Sequence, residues 1–177
     1  MRGGACGHLR PYLIFWQSLI GDALIELGRN GGNESQMDEK SRLVALDVGD
    51  ARIGVAVSDP TGMIVTPVET VHRKNMKVDV ERIADIVRRE EAAALVIGLP
   101  KNMDGSEGEQ AAKVRSFANK LMRETGLPVH FEDERLSTFE ATERLVARGV
   151  KTGTNRDLVD MEAAAIILQS FLDRHEK

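Results

Sequence analysis

The sequence predicts an α/β domain, a mixed five-stranded sheet flanked by helices in the order βββαβαβαα. Three observations predict it. Apolar runs without alternation, at residues 43–46 and 94–99, read as strands covered on both faces. Short turns at residues 49–52 and 59–62 join the first three strands into an antiparallel meander. From residue 78 the apolar spacing switches to a period of 3.6, and helices alternate with single strands.

The elements follow in order. The first strand, Leu43-Val44-Ala45-Leu46, ends in Asp47. The turn Gly49-Asp50-Ala51-Arg52 leads into Ile53-Gly54-Val55-Ala56-Val57-Ser58. The third strand, residues 63–70, holds Pro67, which donates no ladder hydrogen bond and so marks an edge. Val80, Ile83, Ala84 and Val87 share one face of a helix over about 78–91. Residues 94–99 are a buried strand, and Pro-Lys-Asn-Met-Asp-Gly-Ser-Glu-Gly at 100–108 is a loop. A helix over 109–125 stops at Gly126. Residues 128–134 form a fifth strand that runs into a cluster of acids. Ser137-Thr138-Phe139-Glu140 reads as a capping box, opening a helix that ends at Gly149. Thr154 is the expected cap of a last helix running to about residue 174.

A chain of 177 residues is one domain's worth with an appendage. The single cysteine, Cys6, excludes an intrachain disulfide framework and fits a reducing compartment. No apolar run reaches the ~20 residues of a membrane-spanning helix. The four histidines lack zinc-ligand spacing. Residues 1–36 hold the only Cys, Trp and Tyr, and their charges cancel, so the whole net charge of -4 belongs to residues 37–177. Residues 1–41 are therefore expected to be an N-terminal extension outside the fold, with residues 42–177 as the domain. Within the extension, Leu13, Trp16, Ile20, Leu24 and Leu27 fall near one face of a short amphipathic helix. A non-essential extension with Met37 as the working start and a genuine targeting or partner-binding arm both stay open.

Three acids stand in costly places. Asp47 ends an apolar strand, where a plain turn aspartate is the competing reading. Asp160 shares a helix face with Ala163, Ala164, Ile167 and Phe171, the stripe that should pack on the sheet. A carboxylate there needs a partner or a metal, and a buried ion pair is the competing reading. Asp157 lies three residues earlier on that face, where it could simply complete the helix cap. In Glu132-Asp133-Glu134-Arg135, strand parity puts Glu132 and Glu134 on one face and Asp133 on the other. Hard divalent ions take carboxylate oxygens, and two such ions ~4 Å apart can activate water against a phosphodiester. Arg52, Lys101, Arg135, Arg144, Arg148, Lys151 and Arg156 surround these acids in loops and helices, though each also reads as ordinary solvated surface.

Residues 46–59, Leu-Asp-Val-Gly-Asp-Ala-Arg-Ile-Gly-Val-Ala-Val-Ser-Asp, resemble the opening of the YqgF family, also called RuvX. Residues 98–108 are similar to its central loop, Asp133-Glu134-Arg135-Leu136-Ser137-Thr138 to its second acidic motif, and residues 160–168 to its C-terminal helix. The likeness spans about residues 42–174. It implies an RNase H-like fold related to Holliday-junction resolvases, and a nuclease that matures the 5′ end of pre-16S rRNA in the bacterial cytoplasm. It implies catalytic and metal-ligating roles for Asp47, Glu134 and Asp160, with Asp133 and Asp157 as further candidates for the metal. The ion would be Mg²⁺ or Mn²⁺. Arg52, Lys101, Asn102, Gly105 and Arg135 are the candidate substrate contacts, with Gly105 and Gly108 letting the 100–108 loop bend onto nucleic acid. The expected partner is pre-rRNA on ribosomal precursors, with no membrane, for a monomer or weak homodimer.

Three readings compete with rRNA processing. A resolvase of four-way junctions or other structured DNA would use the same acids. A non-catalytic nucleic-acid-binding module would keep them as structural groups. Asp47-x-Gly49 before a hairpin also resembles the phosphate motif of the actin and sugar-kinase superfold, but that architecture needs two such domains and a cleft between them.

Overall fold

The computed structural model describes residues 42–175 except 103, 135, 136 and 152, and for residues 137 and 138 the backbone alone. The expectations for residues 1–41, for Arg135 and for the Ser137 capping box lie outside the described residues. Within them the predicted order appears: β1 Arg42–Val48, β2 Arg52–Ser58, β3 Val65–His72, α1 Met76–Arg89, β4 Ala92–Leu99, α2 Glu109–Thr125, β5 Val129–Asp133, α3 Ser137–Ala147 and α4 Arg156–His175.

The five strands form one mixed sheet in the order β3-β2-β1-β4-β5. β1 is central because its run is apolar on both faces. It pairs antiparallel with β2 (Leu46 opposite Val55, Asp47 opposite Gly54) and parallel with β4 (Leu46 opposite Ile97). β4 pairs parallel with β5. The parallel trio β1, β4 and β5 therefore finishes at one end of the sheet. β3 lies at an edge, and its Pro67 sits at a shift of register opposite Ala56, where a missing N–H is tolerated.

Each face of the sheet has its own helical cover. Val44, Leu46, Val48, Leu95 and Ile97 pack with Val80, Ile83 and Val87 of α1 and Val114, Phe117 and Leu121 of α2. Leu43, Ala45, Ala94 and Val96 face Ile167, Leu168, Phe171 and Leu172 of α4. On its other side α4 meets Ala141 and Leu145 of α3 through Val159, Ala163 and Ile166. A helix held between a sheet and another helix buries nearly all its girth, as the apolar run from Ala163 to Leu168 requires.

Boundaries moved where side-chain capping outweighs apolar spacing. α1 begins two residues before the expected start, because the Asn75 side chain accepts the Val78 N–H at 3.1 Å. α4 begins at Arg156 rather than just after Thr154. The Thr154 hydroxyl donates to the Lys151 carbonyl, while the Leu158 and Val159 amides donate to the Asn155 carbonyl. β3 is displaced two residues toward the C-terminus, its place taken by a turn in which Asp59 accepts the Thr61 and Ile64 amides.

One close approach sets the position of α4. A Cβ at Gly54 would lie 1.9 Å from the Asp160 carbonyl oxygen and 2.3 Å from its carbon. The backbone of α4 thus rests directly on β2 at the position opposite Asp47. Gly54→Ala puts a methyl group into main chain, which cannot rotate away. Overpacking of this kind costs roughly 3 kcal/mol or more. Urea unfolding should show at least that loss for Gly54→Ala. Near wild-type stability would mean that α4 is not seated there.

Candidate active site

The site is built at the end where β1, β4 and β5 finish, on the face covered by α4. Leu43 and Ala45 face α4, so alternation brings Asp47 to the same face, one residue before β1 ends. Glu134 follows β5 directly, and its N–H reaches the Leu99 carbonyl at 3.5 Å. Its side chain turns over Gly98, where a Cβ would stand 2.2 Å from the Glu134 Oε2 and 2.6 Å from the Ile167 Cδ1. Gly54 and Gly98 do the same work on neighbouring strands. Each omits a side chain so that an acid-bearing segment can lie on the sheet. Asp160 arrives on the first turns of α4, carried by the seat on Gly54.

A buttress holds the β1–β2 turn from the opposite face. The Arg73 guanidinium donates to the Gly49 carbonyl at 2.8 Å and to Asp79 at 3.1 Å. Asp79 is fully buried and also accepts the Lys74 amide at 2.9 Å. The Arg73 amide donates to the Ala51 carbonyl. These residues fix the turn that follows Asp47, and neither Arg73 nor Asp79 was singled out from the sequence.

Burial and mutual repulsion shape the acids. Asp47 is pushed up to about 6, chiefly by burial and then by the Asp160 charge. Glu134 is pushed up to about 8, again by burial first, then by Asp47 and Asp133. Asp160 has a cationic partner instead. The Arg52 Nε–H donates to its carboxylate and lies 3.6 Å from Asp157. Asp157 continues the chain of contacts outward, with His72 Nε2 at 3.2 Å and the Thr70 hydroxyl donating to its carbonyl at 2.8 Å.

The structure also distinguishes the three acids around β5. Glu132 is buried and paired with Arg174 near the end of α4. Asp133 faces the other way, with Lys101 Nζ at 3.8 Å. Glu134 alone lies beside Asp47. Asn102 and Gly105 form an exposed turn in which the Gly105 amide donates to the Asn102 carbonyl and the Asn102 amide to that of Ser106. Gly105 needs its glycine, with φ at 85°. Gly108 does not, since its φ of −93° is open to any residue, and it serves as the N-cap of α2. Arg52, read from sequence as a substrate contact, is engaged with Asp160. Its link to Asp157 and His72 was missed, because it depends on the pairing of Arg52 with His72 across β2 and β3.

Among the described residues no three His, Cys, Asp or Glu side chains stand together as a metal-holding group. The Asp160 carboxylate is engaged by Arg52. The donor chemistry nonetheless fits a hard divalent cation. Asp47 and Glu134 are carboxylates that burial makes costly to ionise, with the Asp160 charge adding to the cost at Asp47 and the Asp47 and Asp133 charges at Glu134, and a cation between them would offset that cost.

A family profile described as "RuvX: Holliday junction resolvase" matches residues 41–174. A protein of Moorella thermoacetica named "Putative pre-16S rRNA nuclease" is 46% identical over 133 residues, which cover 75% of this chain and 95% of that protein. One of the same name from Anaeromyxobacter sp. (strain Fw109-5) is 47% identical over 135 residues, 76% of this chain and 98% of that protein. Among solved structures, Thermus thermophilus RuvC in complex with a Holliday junction substrate superposes with a TM-score of 0.51 at 19% identity, covering 76% of this chain and 95% of that one. The fowlpox virus resolvase with Holliday junction DNA superposes at 0.50 and 10% identity, covering 75% and 97%. At these identities the structures speak for the fold, an RNase H-like resolvase architecture.

The raised Glu134 has a consequence for stability. Unfolded, it releases its proton near 4.5; folded, it holds the proton to about 8. The folded state binds more protons in that window, so stability falls as pH rises from about 4.5 toward about 8. Glu134→Gln removes this loss. The variant should exceed wild type at pH 8 by on the order of 4 kcal/mol, and the gap should close toward pH 4.5. Urea unfolding across this range measures it. A gap that does not change with pH would show that Glu134 does not titrate there.

Proposed function

The chain belongs to the RuvX family, and on that premise we propose that it is a divalent-metal-dependent endonuclease that processes the 5′ end of pre-16S rRNA in the cytoplasm. The observation that carries the reading is the pair Asp47 and Glu134. Two carboxylates with raised proton affinity face each other at the sheet end, with Asp160 beside Asp47. Isolated buried acids destabilise a fold, and retaining them together at one point is the signature of a site that takes a cation. An acidic domain also needs local positive charge to accept a phosphate chain.

In this reading Asp47, Glu134 and Asp160 hold Mg²⁺ or Mn²⁺, with Asp133 and Asp157 as outer acids. A bound ion supplies Lewis acidity, lowering the pKa of water and offsetting charge that builds on the phosphate. The protein's own groups do the rest. Lys101, beside Asp133, and the Asn102–Gly105 turn flank Glu134 from the β4 end and offer donors to the nucleic-acid backbone. The Arg73–Asp79 buttress keeps the β1–β2 turn, and hence Asp47, in place while a polyanion docks. The relatives' name favours rRNA as substrate. The family profile's description favours a second reading, a four-way DNA junction.

Cleavage of a pre-16S 5′ leader and of a four-way DNA junction, with the same protein and metal, separates the readings. Wild type with Mg²⁺ should cut the leader faster, and chelator should stop it. Asp47→Asn should lose at least about 100-fold in rate while its unfolding curve stays cooperative. Faster cutting of the junction would overturn the substrate. Full activity in chelator or in Asp47→Asn would overturn the metal-dependent reading.

A further inference from the structure

We propose that Arg52 is a switching counter-ion: in the free protein its guanidinium competes with the divalent ion for Asp160, and a docked phosphodiester draws it away, so that nucleic acid completes the metal site. The proposal rests on the metal-dependent reading above and adds a gate to it.

The geometry begins with β2. Arg52, Gly54 and Ala56 alternate onto the α4 face, and the seat of α4 on Gly54 brings Asp160 over Arg52. The Arg52 Nε–H donates to the Asp160 carboxylate, and the same nitrogen lies 3.6 Å from Asp157. The Arg52 side chain is 24% exposed and that of Asp160 21%, so the pair is partly shielded from water and stronger than a surface bridge. Asp160 also repels Asp47, so one carboxylate lies between an acid that would hold a cation and a cation built into the chain. A divalent ion beside Asp47 would meet the guanidinium as a like charge.

Arg52 also has a way out. Asp157 is 53% exposed, so the Asp160–Arg52–Asp157 row runs from the shielded seat of α4 to the surface, ending at His72. A guanidinium matches a phosphate with its planar fork of donors, and a phosphodiester docked at this rim offers it an anion in exchange for Asp160. Transfer of Arg52 to the phosphate would release Asp160 toward the ion held by Asp47 and Glu134. Nucleic acid and metal would then each raise the other's affinity, by the same factor. Arg52 thus acts on the metal through Asp160 as a positioning residue, and on the substrate as a direct contact.

The test is Mn²⁺ affinity, read from the electron paramagnetic resonance signal of free Mn²⁺, with and without a phosphorothioate oligonucleotide that resists hydrolysis. Wild type should bind Mn²⁺ about fivefold or more tightly once the oligonucleotide is present. Arg52→Gln should bind Mn²⁺ about as tightly without oligonucleotide as wild type does with it, and gain little further. Asp160→Asn should show free wild-type affinity and no gain from the oligonucleotide. Weaker or unchanged Mn²⁺ binding by Arg52→Gln would overturn the proposal. So would a wild type whose Mn²⁺ affinity ignores the oligonucleotide, a measurement that needs no variant to fold. Absence of Mn²⁺ binding by wild type in either condition would instead sink the metal-dependent reading on which the proposal stands.

Discussion

The seat of α4 on Gly54 is the constraint from which the rest of the site follows. A helix backbone can touch a strand only where the strand carries no side chain, and β2 provides that gap directly opposite Asp47. The contact sets the depth of α4, and with it the place of Asp160. It also brings Ala164 and Ala165 against Ala56, small residues that keep the helix close along its first turns. Gly98 plays the matching part on β4, leaving room for the Glu134 carboxylate beside Ile167. A larger residue at either glycine would push an acid-bearing segment outward. The fold thus spends two side chains of core packing to bring three carboxylates to one end of the sheet.

What those carboxylates do follows from electrostatics. Burial disfavours the charged forms of Asp47 and Glu134, and the neighbouring charges of Asp160 on the first and of Asp47 and Asp133 on the second add to it. Asp160 is paired with Arg52. The end of the sheet therefore holds one acid paired with Arg52 and two whose proton affinity is raised. Such an arrangement is a poor stabiliser of a fold, and a divalent ion would relieve it, as the proposed function requires.

Much of this was legible in the sequence, for identifiable reasons. The strand order could be read because β1 and β4 are apolar on both faces and Pro67 marks an edge. Asp47 and Asp160 stood out as acids on apolar stripes, and parity separated Glu132 and Glu134 from Asp133. The rest depended on pairings between distant residues. Gly54 carries no sign in the sequence that a helix backbone will rest on it. Arg52 read as a phosphate contact because nothing local announces Asp160 at its side, 108 residues away. Glu132 and Glu134 share a face, and only the position of Arg174 distinguishes the paired acid from the one at the site. The start of α4 was misplaced because Thr154 has the chemistry of a cap but spends its hydroxyl on Lys151.

The central claim is that Asp47 and Glu134 are kept protonation-prone so that a divalent ion can take the proton's place. Carboxyl ¹³C resonances of the two residues, followed through a pH titration with and without saturating Mg²⁺, test it most directly. Without the ion, Asp47 should titrate near 6 and Glu134 near 8. With it, both transitions should move below the ordinary carboxylate range, because the bound charge favours the ionised forms. If Glu134 went on titrating near 8 in saturating Mg²⁺, the acids would be structural and the account of the site would be wrong.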